Sequence, residues 1–347
     1  MLRSTMHLAG MVLAAGLGTR LRPLTDAVPK PAVPVCGLPL VRYALARLAA
    51  AGAGRAVVNT HHLAPAMERA AREGAAAVGL PVAISHEPEI AGTGGALREA
   101  AAALRGAAAV ALWNGDVLFD LDLAPVVEGH LASGALATMV LAPMPPGAPW
   151  AAVEVDGGMA VRRIAGHGPG GAGLRPLHFT GVHVLSPALL DAVPAEPFAC
   201  DVNRHVYPPL LARGAVRGVV AGGYWNDLGT PARYLQANLD LLGGRAGRPR
   251  GADPLDGLAP AGPGAWVAPG ARVERGATLA GPVLVGAGAE VGAGAVVGPE
   301  AVVGAGARIG AGAVVRRAVV WAGTGVRAGE TVVEGVAAGD LRVPAGP

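Results

Sequence analysis

The segment Gly10–Lys30 reads GMVLAAGLGTRLRPLTDAVPK and collects the residue types that hold anions. Met11–Ala15 is short, apolar and uncharged, the pattern of a strand buried on both faces. Gly16-Leu17-Gly18-Thr19-Arg20 follows at once, with a backbone free enough for consecutive N–H groups to converge on one anion. Arg20, Arg22 and Lys30 bring positive charge to the same end of the strand. A strand that runs into a Gly-rich basic turn is a phosphate site by geometry and by charge. Of the 28 Lys and Arg residues a single one, Lys30, is lysine. Arginine serves surface charge equally well, so the exception points to a site that wants a compact ammonium with mobile donors. The plain alternative is an ordinary surface lysine.

Two carboxylates join this set. Asp116 ends the string WNGD immediately after an apolar run, where a metal ion on phosphates would lie, although Asp after Gly also serves turns. Asp227 sits in WNDLGT, just ahead of a helical pattern, where an N-cap or turn role is the alternative.

The elements that position these groups alternate. PLVRYALARLAAA (39–51), the Ala/Glu/Arg-rich stretch 64–78 and GGALREAAAALRG (94–106) have helical spacing. AVVNTHH (56–62), PVAISHE (81–87) and VALWNGD (110–116) read as strands. Such alternation over about 120 residues predicts a Rossmann-like, doubly wound, mostly parallel α/β sheet. Ligands then sit at the carboxyl ends of the strands, so Gly16, His86, Glu87 and Asp116 should face one crevice. From residue 135 the pattern changes to strand-like pieces, ALATMVLAP, WAAVEVD and LHFTGVHVLS, between Pro/Gly loops.

Known phosphate motifs do not fit. No G-x-x-x-x-G-K-[ST] is present, and in the dinucleotide pattern G-x-G-x-x-G the third glycine is replaced by Leu21. The whole string instead resembles the signature of the sugar-1-phosphate nucleotidylyltransferases, a strand, a G-x-G-T-R turn and a P-K-P about ten residues on. EPEIAGTGGAL (87–97) is similar to that family's base-contact loop, D-V-N (201–203) to its D-[IV]-N, and W-x-D-x-G-T to the motif before its closing helix. The resemblance implies a nucleotide-diphospho-sugar transferase fold. Arg20 and Lys30 would be catalytic, with Leu13, Ala14, Ala15, Gly16, Gly18, Thr19, Glu87, Gly94, Gly95 and Asn114 on the nucleotide. Ala151, Glu154, Thr180, Gly181 and Asp201 would meet the sugar, and Asp116 and Asp227 would hold Mg²⁺. Asp201 could equally cap the helix that follows it. The family's glycine after the aromatic is here Ala151, and its Glu-Lys-Pro is replaced by RIAGHGPGGAG (163–173), so Arg162, Arg163 or Arg175 must hold the sugar phosphate.

The family resemblance implies transfer of a nucleotidyl group from an NTP to a sugar 1-phosphate, with pyrophosphate as the second product. GTP with mannose 1-phosphate is the first expectation, UTP or dTTP with another hexose 1-phosphate the second. A non-catalytic nucleotide-sugar-binding regulator is a reading from another class, disfavoured by the intact Arg20, Lys30, Asp116 and Asp227.

Residues 243–264 are Gly/Pro-rich without periodicity and read as a linker between a catalytic domain, 8–242, and a repeat, 265–340. Val267, Val273, Leu279, Val285, Val291, Val297, Val303, Ile309 and Val315 are each six apart, the mark of a hexapeptide repeat. Such repeats resemble the left-handed parallel β-helix, here about three coils. Hexapeptide acyltransferases use a histidine, but every histidine lies at or before His205, so the repeat reads as a cap and as a contact between copies of the chain. Nothing in it suggests a part in the chemistry. His61, His62, His183 and His205 read as structural.

Net charge is +3 with 3% aromatic residues and no basic run, so neither nucleic acid nor membrane is an expected partner. Cys36 and Cys200 fit no metal spacing, and a reducing cytoplasm is expected. Arg3 and the apolar run Met6–Leu17 resemble a secretory leader, but the same run supplies the first strand.

Overall fold

The computed structural model describes residues 7–145, 147 and 150–346; Arg3 and Met6 of the leader-like segment lie outside them. Packing divides the chain into two compact units. Val41–Val117 and Leu121–Gly223 join the residues up to Gly16 in the first, and Leu17–Leu40, Leu118–Asp120 and Tyr224–Pro347 form the second.

In the first unit the strands Val82–His86, Ala53–Thr60, Leu8–Leu13 and Ala109–Asn114 lie in that order, all parallel. Helices α1 (Leu40–Ala50), α2 (Ala64–Ala77) and α3 (Gly92–Leu104) make the crossovers. The central strand Leu8–Leu13 is buried through Val12, which accounts for its lack of polar residues. The chain leaves it on one side for two strands and returns on the other for Ala109–Asn114. The reversal point therefore lies between these two neighbours, where Leu13 is in register with Asn114 and the Gly115 N–H donates to the Leu13 carbonyl at 2.9 Å.

The mostly parallel expectation holds for these four strands, and beyond them the sheet is mixed. The long strand Arg175–Leu185 runs antiparallel to Ala109–Asn114 with its last residues and to Val153–Val155 with its first. Its other edge pairs with Ala137–Pro143, which pairs in parallel with Val216–Val220. Val161–Ile164 completes the sheet beside Val153–Val155. Helices α4 (Ala124–Ser133) and α5 (Tyr207–Ala212) belong to this unit. Its core joins Met11, Leu97, Leu112, Met139, Leu185 and Tyr207, all under 1% exposed; each such side chain contributes about 1.5–3 kcal/mol by leaving water.

The second unit combines the signature segment, helix α6 (Pro231–Leu242) and the repeat. Parallel strands recur every 18 residues on three faces, as in Ala265, Val283 and Ala301, or Arg272, Glu290 and Arg308, or Thr278, Val296 and Val314, and so build a parallel β-helix. Val285, Val291, Val297, Val303, Ile309 and Val315 fill its axis at 2% exposure or less. A fourth coil follows that the six-residue period does not reveal. Val315 to Val320 is a step of five, because Val314–Val320 runs as one strand across two faces. The six-residue step then resumes through Val326 to Val332.

Both ends of one face are closed by the chain itself, Ala259–Pro260 on Ala265–Val267 and Leu341–Pro344 on Thr331–Ala338, each antiparallel. The segment 243–264 also makes ordered contacts. Arg248 donates to the carbonyls of Leu241 and Leu242, and Arg245 pairs with Asp240 and Glu300. No helix among the described residues is long and apolar enough to cross a membrane.

Candidate functional site

The signature turn is shaped by contacts inside the second unit. Gly18 has φ +62, and a Cβ on it would stand 2.9 Å from Lys30 Cβ and 3.2 Å from Thr25 Cγ2. Only glycine meets both demands, the left-handed backbone and the close approach. Thr25 Oγ1 donates to the Gly18 carbonyl at 2.9 Å, and the Leu21 N–H donates to it as well. Leu17, Thr19 and Arg20 stand exposed along this turn. Arg22 turns aside to Asp26 at 3.1 Å.

Lys30 is 5% exposed, and its Nζ donates to the backbone carbonyl of Asp227 at 2.7 Å. The ordinary-surface-lysine alternative is thereby removed, since an exposed lysine would not be sequestered in this way. Asp227 is itself 7% exposed. Its Oδ1 accepts from Arg233 Nη1 at 2.6 Å and from the Gly229 N–H at 3.1 Å, and its Oδ2 lies 3.8 Å from Arg20 Nη1. Burial pushes this carboxyl up, but the Arg233 hydrogen bond and charge, the Gly229 amide and the Lys30 charge outweigh it and hold the group below the usual carboxylate range. The result is a compact cluster in which a buried carboxylate and a buried ammonium meet two arginines that reach out to solvent.

Sequence reasoning missed Arg233. It lies in the first turn of α6, where a cation opposes the helix dipole and calls for a compensating anion; that was the available signal. Thr230, and not Asp227, caps the helix, accepting from the Arg233 N–H.

Within the first unit, Asp116 is half-buried two residues beyond Asn114, at the reversal point of the sheet. Asn114 packs on Gly181, whose φ is +88 and where a Cβ would stand 3.0 Å from Asn114 Nδ2. Ala14 and Ala15 are buried at the end of the central strand, and Gly16 is exposed.

A hydrogen-bond chain, also missed, ties three strand ends together. The Ala14 N–H donates to Asn59 Oδ1 at 2.6 Å, and Asn59 Nδ2 donates to Glu87 Oε1 at 2.7 Å. Glu87 Oε2 accepts from the Ala91 N–H at 3.0 Å. Glu87 thus anchors the loop that leads into α3. Gly94 and Gly95 donate their N–H groups to the Cys200 carbonyl at 2.7 and 3.2 Å, and a Cβ on Gly94 would stand 2.6 Å from Cys200 Sγ. These glycines let the segment around Cys200 lie directly on the helix end.

A cleft of about 320 Å³ opens in the same unit, lined by Trp150, Ala151, His178 and Phe179 on one side and Asp201, Asn203 and Arg204 on another. Trp150 and His178 stack with centroids 4.3 Å apart. Of the five expected sugar residues the cleft gathers Ala151 and Asp201. Glu154 pairs with Arg163 at 2.9 Å, the buried Thr180 hydroxyl donates to the Val140 carbonyl at 2.8 Å, and Gly181 faces Asn114. Asp201 also caps the turn that follows, accepting from the Arg204 N–H at 3.0 Å. None of Arg162, Arg163 and Arg175 lines the cleft, Arg175 donating to Met159 Sδ instead; Arg204 does. The histidines read as structural have structural partners: His183 shares a bond with Tyr207 Oη at 2.8 Å and burial pushes it down to about 3, and His205 accepts from the Asp201 N–H.

Among the described residues no group of three or more His, Cys, Asp or Glu could hold a metal. Mg²⁺ needs no such cage when phosphates are present, because one or two carboxylates suffice. A buried, ionised Asp227 has the hard oxygen donors that ion takes.

The nucleotidyl transferase family model matches residues 9–243, and a bacterial transferase hexapeptide model of six repeats matches 282–317. A mannose-1-phosphate guanylyltransferase of Mycobacterium tuberculosis is 33% identical over 272 residues, 76% of this chain and 74% of that protein. The N-acetylmuramate alpha-1-phosphate uridylyltransferase of Neisseria meningitidis is 33% identical over 235 residues, 65% of this chain and 95% of that one. The chain spans 62% of a mannose-1-phosphate guanylyltransferase catalytic subunit beta from Xenopus tropicalis, at 27% identity. The crystal structure of HddC from Yersinia pseudotuberculosis shares the fold, with a TM-score of 0.56 at 23% identity, over 66% of this chain and 97% of that one. The chain belongs to the nucleotidyl transferase family and carries the hexapeptide repeats of bacterial transferases behind its transferase segment.

Proposed function

We propose that the chain transfers a nucleotidyl group from an NTP to a sugar 1-phosphate, with GTP and mannose 1-phosphate as its substrates. The observation that carries the reading is the buried Lys30–Asp227 pair beside the signature turn, with Arg20 and Arg233 on the Asp227 carboxylate. A phosphate oxygen of the sugar attacks the α-phosphorus in line, the α–β bridging bond breaks, and pyrophosphate leaves. No covalent intermediate is needed, so positioning and charge neutralisation carry the catalysis. The backbone of Leu13–Gly16 and of Gly18–Thr19 cradles the triphosphate with Arg20. Lys30, held in place by the Asp227 carbonyl, neutralises charge building on the reacting phosphates.

Asp116 and Asp227 would hold Mg²⁺, and the ion would supply charge neutralisation for the phosphates. Asn59 and Glu87 hold the base loop, with Asn114, Gly94 and Gly95 bordering the nucleotide. The 320 Å³ cleft takes the sugar, and Arg204 stands in for the lysine of the missing Glu-Lys-Pro. The remaining expected sugar residues, Glu154, Thr180 and Gly181, act by shaping that cleft. The names of the mycobacterial and frog relatives support the GTP and mannose choice. The neisserial relative, equally identical over its shorter span, supports UTP as the second reading. Two buried free cysteines suit a reducing cytoplasm, and contact between copies of the chain is assigned to the repeat.

The test is kcat/KM for GTP, UTP and dTTP, each with mannose 1-phosphate and other hexose 1-phosphates, with the NDP-sugar identified by chromatography. GTP with mannose 1-phosphate should exceed the other pairs at least about tenfold, a 1.4 kcal/mol preference. A UTP preference would transfer the assignment to the second reading.

A further inference from the structure

We infer that the β-helix positions the catalytic lysine through a directed hydrogen-bond relay, Trp321 to Tyr234 to Pro34, so that the repeat contributes to turnover. The inference rests on the function proposed above and concerns the same site. Tyr234 is fully buried in α6. Its Oη accepts from Trp321 Nε1 at 2.9 Å and donates to the Pro34 carbonyl at 2.5 Å. Indole N–H only donates and a carbonyl only accepts, so the phenol hydrogen has one available direction, toward Pro34.

Pro34 lies four residues after Lys30. Between them is a short 3₁₀ turn, Lys30–Ala32, closed by the Ala32 N–H on Pro29 and the Val33 N–H on Lys30. One helical turn beyond Tyr234, Asn238 grips the same segment from two sides. Its Oδ1 accepts from the Cys36 N–H at 2.7 Å and its carbonyl from Cys36 Sγ at 3.2 Å. The start of α6 meanwhile delivers Arg233 to Asp227. One helix therefore registers both the Lys30 turn and Asp227, whose carbonyl accepts from Lys30, and that helix packs on the coil strands Val314–Val320 and Thr331–Ala338. Trp321 directly follows the first of these strands, and its backbone N–H donates to the Ala337 carbonyl, which fixes the main chain at the origin of the relay.

Trp321 and Tyr234 touch no substrate in this scheme and are positioning residues. The experiment compares full-length wild type with Trp321→Phe, Tyr234→Phe and the double variant, all of which keep an aromatic ring in place. Arg272→Ala, an exposed change elsewhere on the coils, is the control. Hydrogen exchange at the amides of Ala32, Val33 and Cys36 reads the relay without reference to activity. Exchange there should quicken in both single variants and stay unchanged in the control. The kcat should fall about three- to tenfold, the worth of one neutral hydrogen bond, with the KM for sugar 1-phosphate unchanged. The double variant should fall no further than Tyr234→Phe alone, because both act through one hydroxyl. Unchanged exchange at these amides overturns the relay whatever the activity. Quickened exchange with wild-type kcat overturns its part in turnover, leaving a structural contact. Absence of turnover in the wild type would count against the proposed function, while the exchange result would still decide the relay.

Discussion

Replacing Lys30 separates charge from shape. The side chain is 5% exposed and its Nζ is 2.7 Å from the Asp227 carbonyl. Lys30→Met keeps length and bulk but removes the charged donor and leaves that carbonyl without it. A hydrogen bond to a charged group contributes about 1.5–3 kcal/mol to stability, so the unfolding free energy should fall by that much, seen as a lower Tm and urea midpoint. The catalytic loss is separate. One fixed donor that meets charge developing in a transition state is worth about 2.7–4 kcal/mol, which predicts a fall of about 10²–10³ in kcat. Lys30→Arg keeps the charge but fails on shape. The ammonium is held in a buried site at 2.7 Å from the Asp227 carbonyl, and a longer planar guanidinium cannot reproduce that point contact. A loss of about tenfold or more in kcat is expected, 1.4 kcal/mol or above. The assay is continuous pyrophosphate release at a temperature where denaturant melts show each variant fully folded. Wild-type kcat/KM for Lys30→Arg would refute the reasoning, since any cation would then serve.

Three further outcomes follow from the contacts. Asp227 titrates below its ordinary value in the folded chain, so its stabilisation is complete above about pH 4 and is lost as pH falls through the folded pKa. The Tm gap between wild type and Asp227→Asn should be constant from pH 5 to 7 in calorimetry and should close toward pH 3; a gap that widens on acidification would contradict the assignment. Gly94→Ala drives a methyl to 2.6 Å from Cys200 Sγ and should cost about 1–3 kcal/mol, partly recovered in Gly94→Ala/Cys200→Ala, as read by urea melts. Asn59→Ala removes an acceptor from the Ala14 N–H and a donor from Glu87, so stability should fall by about 1–3 kcal/mol and the KM for NTP should rise while that for sugar 1-phosphate holds.

Much of this was legible in the residues themselves. A lone lysine in a basic stretch after a Gly-rich turn announced a site that wants an ammonium, and the six-residue period announced coils, because both signals are local. The strand alternation to Asp116 was legible for the same reason. What sequence reasoning missed depends on partners distant in the chain. Gly94 and Gly95 resemble a base-contact loop, yet their packing partner Cys200 is more than a hundred residues away. Asn238 looks like an ordinary polar residue of a helix until Cys36 is placed against it, whereas Arg233 meets a carboxylate only six residues away and was the one miss with a local signal. The fourth coil escaped because one strand spans two faces and the period slips by one residue. The repeat carries no histidine; its coil strands pack on α6, which in turn bonds the segment that follows Lys30. The edge of the last coil is covered on one face by Leu341–Pro344.

The most direct measurement of the central claim is the stoichiometry of pyrophosphate release by the purified full-length chain with Mg²⁺, GTP and mannose 1-phosphate. One pyrophosphate should appear for each GDP-mannose formed, only when both substrates are present, and Asp116→Asn and Asp227→Asn should each abolish it. Pyrophosphate released from NTP without a sugar 1-phosphate, or folded protein that releases none with any NTP and sugar 1-phosphate pair, would contradict the account.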